Sequence, residues 1–255
     1  MKRTLTILFL SLLVAVTAYA QGGQQKPAPD PKPAAKLPTV DQVLDKYVQA
    51  IGGKAAVEKQ TSRTQKGSFE LPAFGASGTA EVYAKAPNKQ ALTINIAGFG
   101  VVQEVFDGKT GWSSEPQGGL REKAGAELAS TKLDSEFYKP IKLKQLYPKI
   151  VVKGTDKVGD KEVYVLEATP AESSTETWYF DTQTGLILRE DVERESPQGK
   201  QAIQIFYEDY KEVDGVKMAF SFRQVTPAFT LTIKWEEIKH NVPVDDAKFN
   251  KPAAQ

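Results

Sequence analysis

From Ser62 onward the chain alternates apolar and polar residues with a period of two, and this constrains its fold more than any other feature. Ala80, Val82 and Ala84 alternate with Glu81, Tyr83 and Lys85, and Leu92, Ile94 and Ile96 alternate with Thr93 and Asn95. The pattern returns at Trp178 and Phe180, Leu186 and Leu188, and Ile203, Ile205 and Tyr207. It appears again at Met218, Phe220 and Phe222, then at Phe229, Leu231, Ile233 and Trp235. Neighbouring side chains on a strand point to opposite faces, so these stretches read as antiparallel strands with one dry and one wet face. Turn signals punctuate them: DGKTG at 107–111, VGDK at 158–161, DTQTG at 181–185, SPQGK at 196–200 and VDGVK at 213–217. Short turns make sequence neighbours pair in space. The expected fold is mainly β (α+β), a large curved antiparallel sheet of about ten strands with a few covering helices.

Helical spacing is confined to a few places. Thr39 is a candidate N-cap, followed by Val40, Val43, Leu44, Tyr47, Val48 and Ile51 at helical intervals until Gly52-Gly53 stops the run. A second short helix is expected over 55–60. Residues 120–147 read as helical, with Leu120, Ala124, Leu128, Leu133 and Phe137 as the buried set and Pro140 as a break. Residues 39–255, about 217 in all, are expected to form a single domain.

The first residues, MKRTLTILFLSLLVAVTAYAQ, combine a positive start (Lys2, Arg3), an apolar run from Leu5 to Val16 and an Ala-Tyr-Ala cleavage pattern at 18–20. That is a secretory signal peptide over 1–20 and not a membrane span, so the mature protein is expected in the periplasm. Residues 21–38, rich in Pro, Ala, Gln and Lys, read as a disordered linker. The chain has no cysteine, which excludes disulfides, thiolate catalysis and Cys-ligated metals. Loss of Lys2 and Arg3 leaves 31 basic residues against 32 acidic, a net charge of about −1. A nucleic-acid binder would carry a basic excess or stripe, so no nucleic-acid partner is expected.

The motifs point away from catalysis. Gly108-Lys109-Thr110 looks like the end of a phosphate-binding loop, but the position five residues before Gly108 is Gln103 instead of glycine. Pro116 and Gly118-Gly119 also forbid the helix such a loop requires. YFDTQTGLI at 179–187 repeats the aromatic-Asp-x-x-Thr-Gly-apolar pattern, so both copies read as hairpin turns, with Asp bonding forward and Gly at positive φ. His240 is the only histidine and is expected to be a solvated ring at a strand end. Glu190 with Asp191, and Glu208 with Asp209, read as the polar side of strands. Adjacent strand residues point apart, so neither pair shares a proton. The expectation is a protein that is not an enzyme and has no cofactor or metal.

The dry face admits two readings. Val82, Leu92, Ile94, Trp178, Phe180, Leu188, Phe220, Leu231 and Ile233 either pack as core under the helices or line an apolar cavity for an acyl chain. The same residue types serve both.

Four stretches, in order, resemble the periplasmic outer-membrane lipoprotein carrier and sorting family (LolA/LolB-like): SRTQKGSF at 62–69, GTAEVYAKAPNK at 78–89, VFDGKTGW at 105–112 and VDDAKFNKP at 244–252. They lie in the N-terminal half and at the extreme C-terminus, while 120–240 matches in pattern only. The resemblance implies an unclosed β-barrel with helices as a lid and a hydrophobic cavity for the acyl chains of a lipid or lipoprotein. Val82, Ala84, Leu92 and Ile94 would then point inward, with Ile96 extending that face. It also implies transport partners, an envelope donor and an envelope acceptor protein. One position departs from the family: its lid-controlling arginine, before the proline of Lys-Arg-Pro, is here Ala86. A second function stays open, an envelope sensor or scaffold module of the same fold acting through protein–protein contacts.

Overall fold

The computed structural model describes residues 36–196 and 199–253, so the expected signal peptide and nearly all of the expected linker lie outside the described residues. Among the described residues, thirteen antiparallel strands form one sheet. The first six are β1 (Ser62–Leu71), β2 (Ala76–Lys85), β3 (Lys89–Ile96), β4 (Gly100–Phe106), β5 (Gly111–Glu115) and β6 (Gly119–Glu122). The other seven are β7 (Lys149–Val158), β8 (Lys161–Thr169), β9 (Glu176–Asp181), β10 (Ile187–Ser196), β11 (Gly199–Val213), β12 (Val216–Val225) and β13 (Thr230–His240). Each run is a simple meander, and β1 pairing with β13 joins the two into a single sheet. β6 and β7 are its two ends and do not pair with each other, so the barrel is unclosed.

Turn chemistry explains the meanders. Asp107 Oδ1 accepts from the backbone N–H of Lys109 (2.8 Å) and Thr110 (2.7 Å), and Asp181 Oδ1 does the same for Gln183 and Thr184. In the second copy Gly185 takes the positive φ of 78°, as expected. In the first, Gly108 takes it (φ 102°) and Gly111 does not. Asp214 (φ 51°) and Gly215 (φ 80°) give β11–β12 a two-residue turn with both central residues left-handed, the twist that suits a hairpin.

The strand number exceeds the expected ten because short strands such as β5 and β6 carry too few residues to show a period. The segment 120–147 is also corrected. Leu120 belongs to β6, Ala124 is a helix N-cap, and only α3 (Gly125–Asp134) and α4 (Lys139–Leu146) are helical. Two further helices precede the sheet, α1 (Val40–Ala50) and α2 (Lys54–Glu58).

α1 begins at a full capping box. Thr39 Oγ1 accepts from Gln42 N at 3.2 Å, and Gln42 Oε1 accepts from Thr39 N at 2.8 Å. Val43 and Leu44 bury against Leu166, Trp178, Phe180 and Ile187 on the inner face of the second meander. The chain then turns at Gly52, whose φ is 115° and where a Cβ would come within 2.0 Å of Gly215 O. Phe69, Ala80, Ile94 and Ile233 form a second inner cluster across β1–β3 and the adjoining β13. The outer face of β3–β5 is covered by the C-terminal segment, with Phe249 packing on Ala91, Val105 and Trp112.

Candidate functional site: a cavity beneath the helices

Between these clusters the sheet is too wide for its helices to fill, and a cavity of about 530 Å³ remains. Apolar walls come from Tyr47 and Ile51 of the α1 region, Leu143 of α4, and Val82, Leu92, Trp178, Ile203, Ile205, Phe222 and Ile233 of the sheet. Inward parity places them. Val82 pairs with Leu92 in one row, and Ile203, Ile205 and Tyr207 share one face of β11.

Of the residues singled out from sequence, Val82, Leu92, Trp178 and Ile233 line this cavity. Ala84 is buried and pairs with Arg63 and Gln90, both of which line it. Ile94, Ile96 and Leu231 belong to the packed cluster around Phe69. Phe180 lies beneath α1, edge-on to Tyr47 at 5.3 Å between ring centroids. Two placements differ from the alternation. The β9–β10 register shifts between Ile187 and Arg189, so Ile187 faces the cavity while Leu188 packs with Val163 and Tyr179. Asp209, at φ 52°, interrupts β11, and Phe220 on the facing strand lies under the Lys211 ammonium, 4.6 Å from the ring centroid.

Polar groups sit at two poles of the cavity. At one, Arg194, Asp134, Lys139 and Glu190 line the wall, and behind them Glu176 is fully buried and accepts from Tyr147 Oη (2.7 Å), Trp178 Nε1 (3.1 Å) and Arg194 Nη1 (3.3 Å). Arg194 Nη2 also reaches Asp134 Oδ2 at 3.0 Å, and Lys139 Nζ reaches Asp134 Oδ1 at 2.9 Å. Glu190 receives the Tyr207 hydroxyl at 3.1 Å. Burial pushes Glu190 up to about 7, opposed by the Lys139 cation and reinforced by the Glu176 and Asp134 carboxylates. The adjacent residues do point apart: Asp191 pairs with Arg189 and accepts from Tyr179 on the outer side.

At the other pole Arg63, Gln65 and Gln90 line the wall. His240 is not the solvated ring expected from its position. It is buried opposite Arg63, with Nδ1 3.5 Å from Asp214 Oδ2. Burial, then the Arg63 charge, lowers its affinity for a proton, and Asp214 opposes them.

Sequence reasoning missed the charged lining. Glu176 shares parity with Trp178 and Phe180, so a carboxylate on the dry face was visible. Arg63 and Gln65 share the parity of the inward Phe69 on an unbroken β1–β2 register, but Arg and Gln are residue types that alternation assigns to the wet face. Among the described residues no cluster of three or more His, Asp or Glu side chains suits a metal ion, and no helix is long and apolar enough to cross a membrane.

Several solved structures share the architecture. A DUF1329 family protein from Desulfovibrio piger is 17% identical and matches with a TM-score of 0.56 over 83% of this chain and 97% of its own. A LolA superfamily protein from Nitrosomonas europaea is 13% identical, with a TM-score of 0.55 over 84% of this chain and 99% of its own. A domain described as an outer membrane lipoprotein-sorting protein, from Vibrio parahaemolyticus, is 10% identical, with a TM-score of 0.51 over 76% and 97%. No protein-family model matches the chain, and no curated protein does. The unclosed, helix-covered antiparallel sheet is the fold these structures share with this chain. Within that architecture the chain has a LolA/LolB-like fold.

Proposed function

We propose that this protein is a periplasmic carrier that holds an acyl chain of a lipid or lipoprotein non-covalently in the cavity, without catalysis. The observation that carries the reading is the cavity, whose volume of about 530 Å³ falls in the range of small-molecule sites, about 300–1,000 Å³. Apolar side chains from α1, α4 and seven strands meet around it, and each buried methylene of a ligand would contribute about 0.8 kcal/mol. The signal peptide expected over 1–20 supports the compartment, and the LolA-superfamily and lipoprotein-sorting structures supply the analogy.

The connection from β6 to β7 runs through α3 and α4 and acts in this reading as the lid. Ala86 replaces the arginine expected there by resemblance. A backbone bond from Phe137 N to Pro87 O (2.9 Å) and the Arg194–Asp134 pair hold the connection instead. Organic extraction of the purified protein followed by mass spectrometry tests the reading. Recovered acyl lipid supports it, and absence of lipid together with failure to take up a neutral hydrophobic dye overturns it.

A further inference from the structure

Arg63 stands out among the cations of the cavity. Lys139 and Arg194 have carboxylate partners and Lys217 is exposed, whereas Arg63 is half-buried with no ion pair among the described residues, and its buried Nε has no hydrogen-bond partner. Its neighbours are His240 across the β1–β13 pair and the Phe137 ring, 5.7 Å from Cζ to centroid. Burial alone pushes its pKa down, to about 10, so the group stays cationic at neutral pH. Arg63 is only half-buried, but its Nε is closed off from solvent, and a polar group removed from water without a partner is costly.

Two further donors stand beside it. Gln65 is next on the inner face of β1, and Gln90 shares a row with Arg63 across Ala84. Both line the cavity, and neither side chain makes a hydrogen bond within the described residues. Of the nearby carboxylates, Glu136 pairs with Lys142 at 2.8 Å, and Asp214 is largely exposed to solvent, 3.5 Å from His240 Nδ1. A guanidinium and two amides thus line one part of the cavity wall, apart from the Asp134, Lys139, Glu190 and Arg194 group, without a carboxylate paired to them.

We propose that Arg63, Gln65 and Gln90 form an anion-recognition site for the head of an acyl ligand, so that the carrier selects amphiphiles ending in a carboxylate or phosphate over neutral or cationic ones. The inference rests on the carrier reading and names the ligand class for the same cavity. The alkyl chain lies along Leu92, Ile233 and Trp178, and the head reaches the guanidinium, whose planar fork suits two oxygens at once.

The test is displacement of N-phenyl-1-naphthylamine from the purified, delipidated protein by four sixteen-carbon probes. These are palmitate, hexadecyl phosphate, hexadecanol and hexadecyltrimethylammonium, with inorganic phosphate as the chain-free control. The expected result is that both anionic probes displace the dye at concentrations roughly ten- to a hundredfold lower than the alcohol. Inorganic phosphate alone displaces nothing. Palmitate and hexadecyl phosphate together separate carboxylate from phosphate preference.

Arg63→Met is expected to erase the difference between anion and alcohol while leaving alcohol binding intact, and Arg63→Lys to keep a reduced preference. Arg63→Met should also melt at a higher temperature than the wild type when empty, because it removes a half-buried charge that has no ionic partner. Equal displacement by anions and alcohol, or an Arg63→Met protein that discriminates like the wild type, overturns the proposal and leaves the carrier reading standing. Failure of the dye and every probe to bind overturns both.

Discussion

Arg194 Nη1 lies 3.3 Å from Glu176 Oε1, and the carboxylate it meets has no exposed surface. The same guanidinium bonds Asp134 at the end of α3, whose side chain is 42% exposed. One arginine therefore joins the sheet to the covering helices through two acids in different surroundings. Arg194→Met should cost about 3 kcal/mol, since it leaves a buried carboxylate with only Tyr147 and Trp178 as donors. Asp134→Asn should cost less than about 1 kcal/mol, because that half of the bridge is screened by water. Urea unfolding of both variants checks the ranking, and equal costs would refute it.

Glu190 makes stability depend on pH. Its native pKa of about 7 lies above the usual 4.5, so the folded protein holds this proton more tightly than the unfolded chain. The associated stabilisation is fully present below 4.5 and is lost as pH rises through about 7. Lys139, Glu176, Asp134 and Tyr207 are the groups that face it. Glu190→Gln should therefore flatten the fall in melting temperature across that window. An unchanged pH profile would mean that Glu190 is ionised throughout.

Gly52 is required by both its dihedral and its neighbour. Gly52→Ala should destabilise by more than about 1–3 kcal/mol, because the residue has φ 115° and its new Cβ would meet Gly215 O at 2.0 Å. A midpoint equal to that of the wild type in chemical denaturation would show that α1 and the β11–β12 turn can separate freely.

Leu92 and Ile94 share a strand face yet should respond differently. Leu92 lines the cavity, whereas Ile94 is 8% exposed and packed with Phe69 and Ile233. Leu92→Glu should abolish dye uptake while the protein stays folded by circular dichroism. Ile94→Glu should lower stability by several kcal/mol, as an unpaired charge in the core does. Retained uptake in folded Leu92→Glu would place the ligand elsewhere.

The sheet was legible because its alternation repeats over long strands such as β2, β3 and β13, and Asp107 and Asp181 announced their turns. The cap at Thr39 was legible for the same reason: local hydrogen bonding decides it. What escaped depends on single irregular residues. The shift beside Leu188 and the interruption at Asp209 each reverse the faces beyond them, and alternation counted from sequence carries straight through. Leu188 and Phe220 were misplaced for that reason. The charged poles were hidden differently: Arg63, Glu190 and His240 are residue types expected in water, and only the sheet's curvature takes them out of it.

The central claim is that the cavity holds an acyl chain. The most direct measurement is mass spectrometry of the organic extract from purified wild-type and Leu92→Glu proteins, prepared side by side. Acyl lipid in the wild-type extract, at a stoichiometry approaching one chain per protein and absent from the variant, is the predicted result. Equal lipid in both extracts, or none in the wild type with no dye uptake, would contradict it.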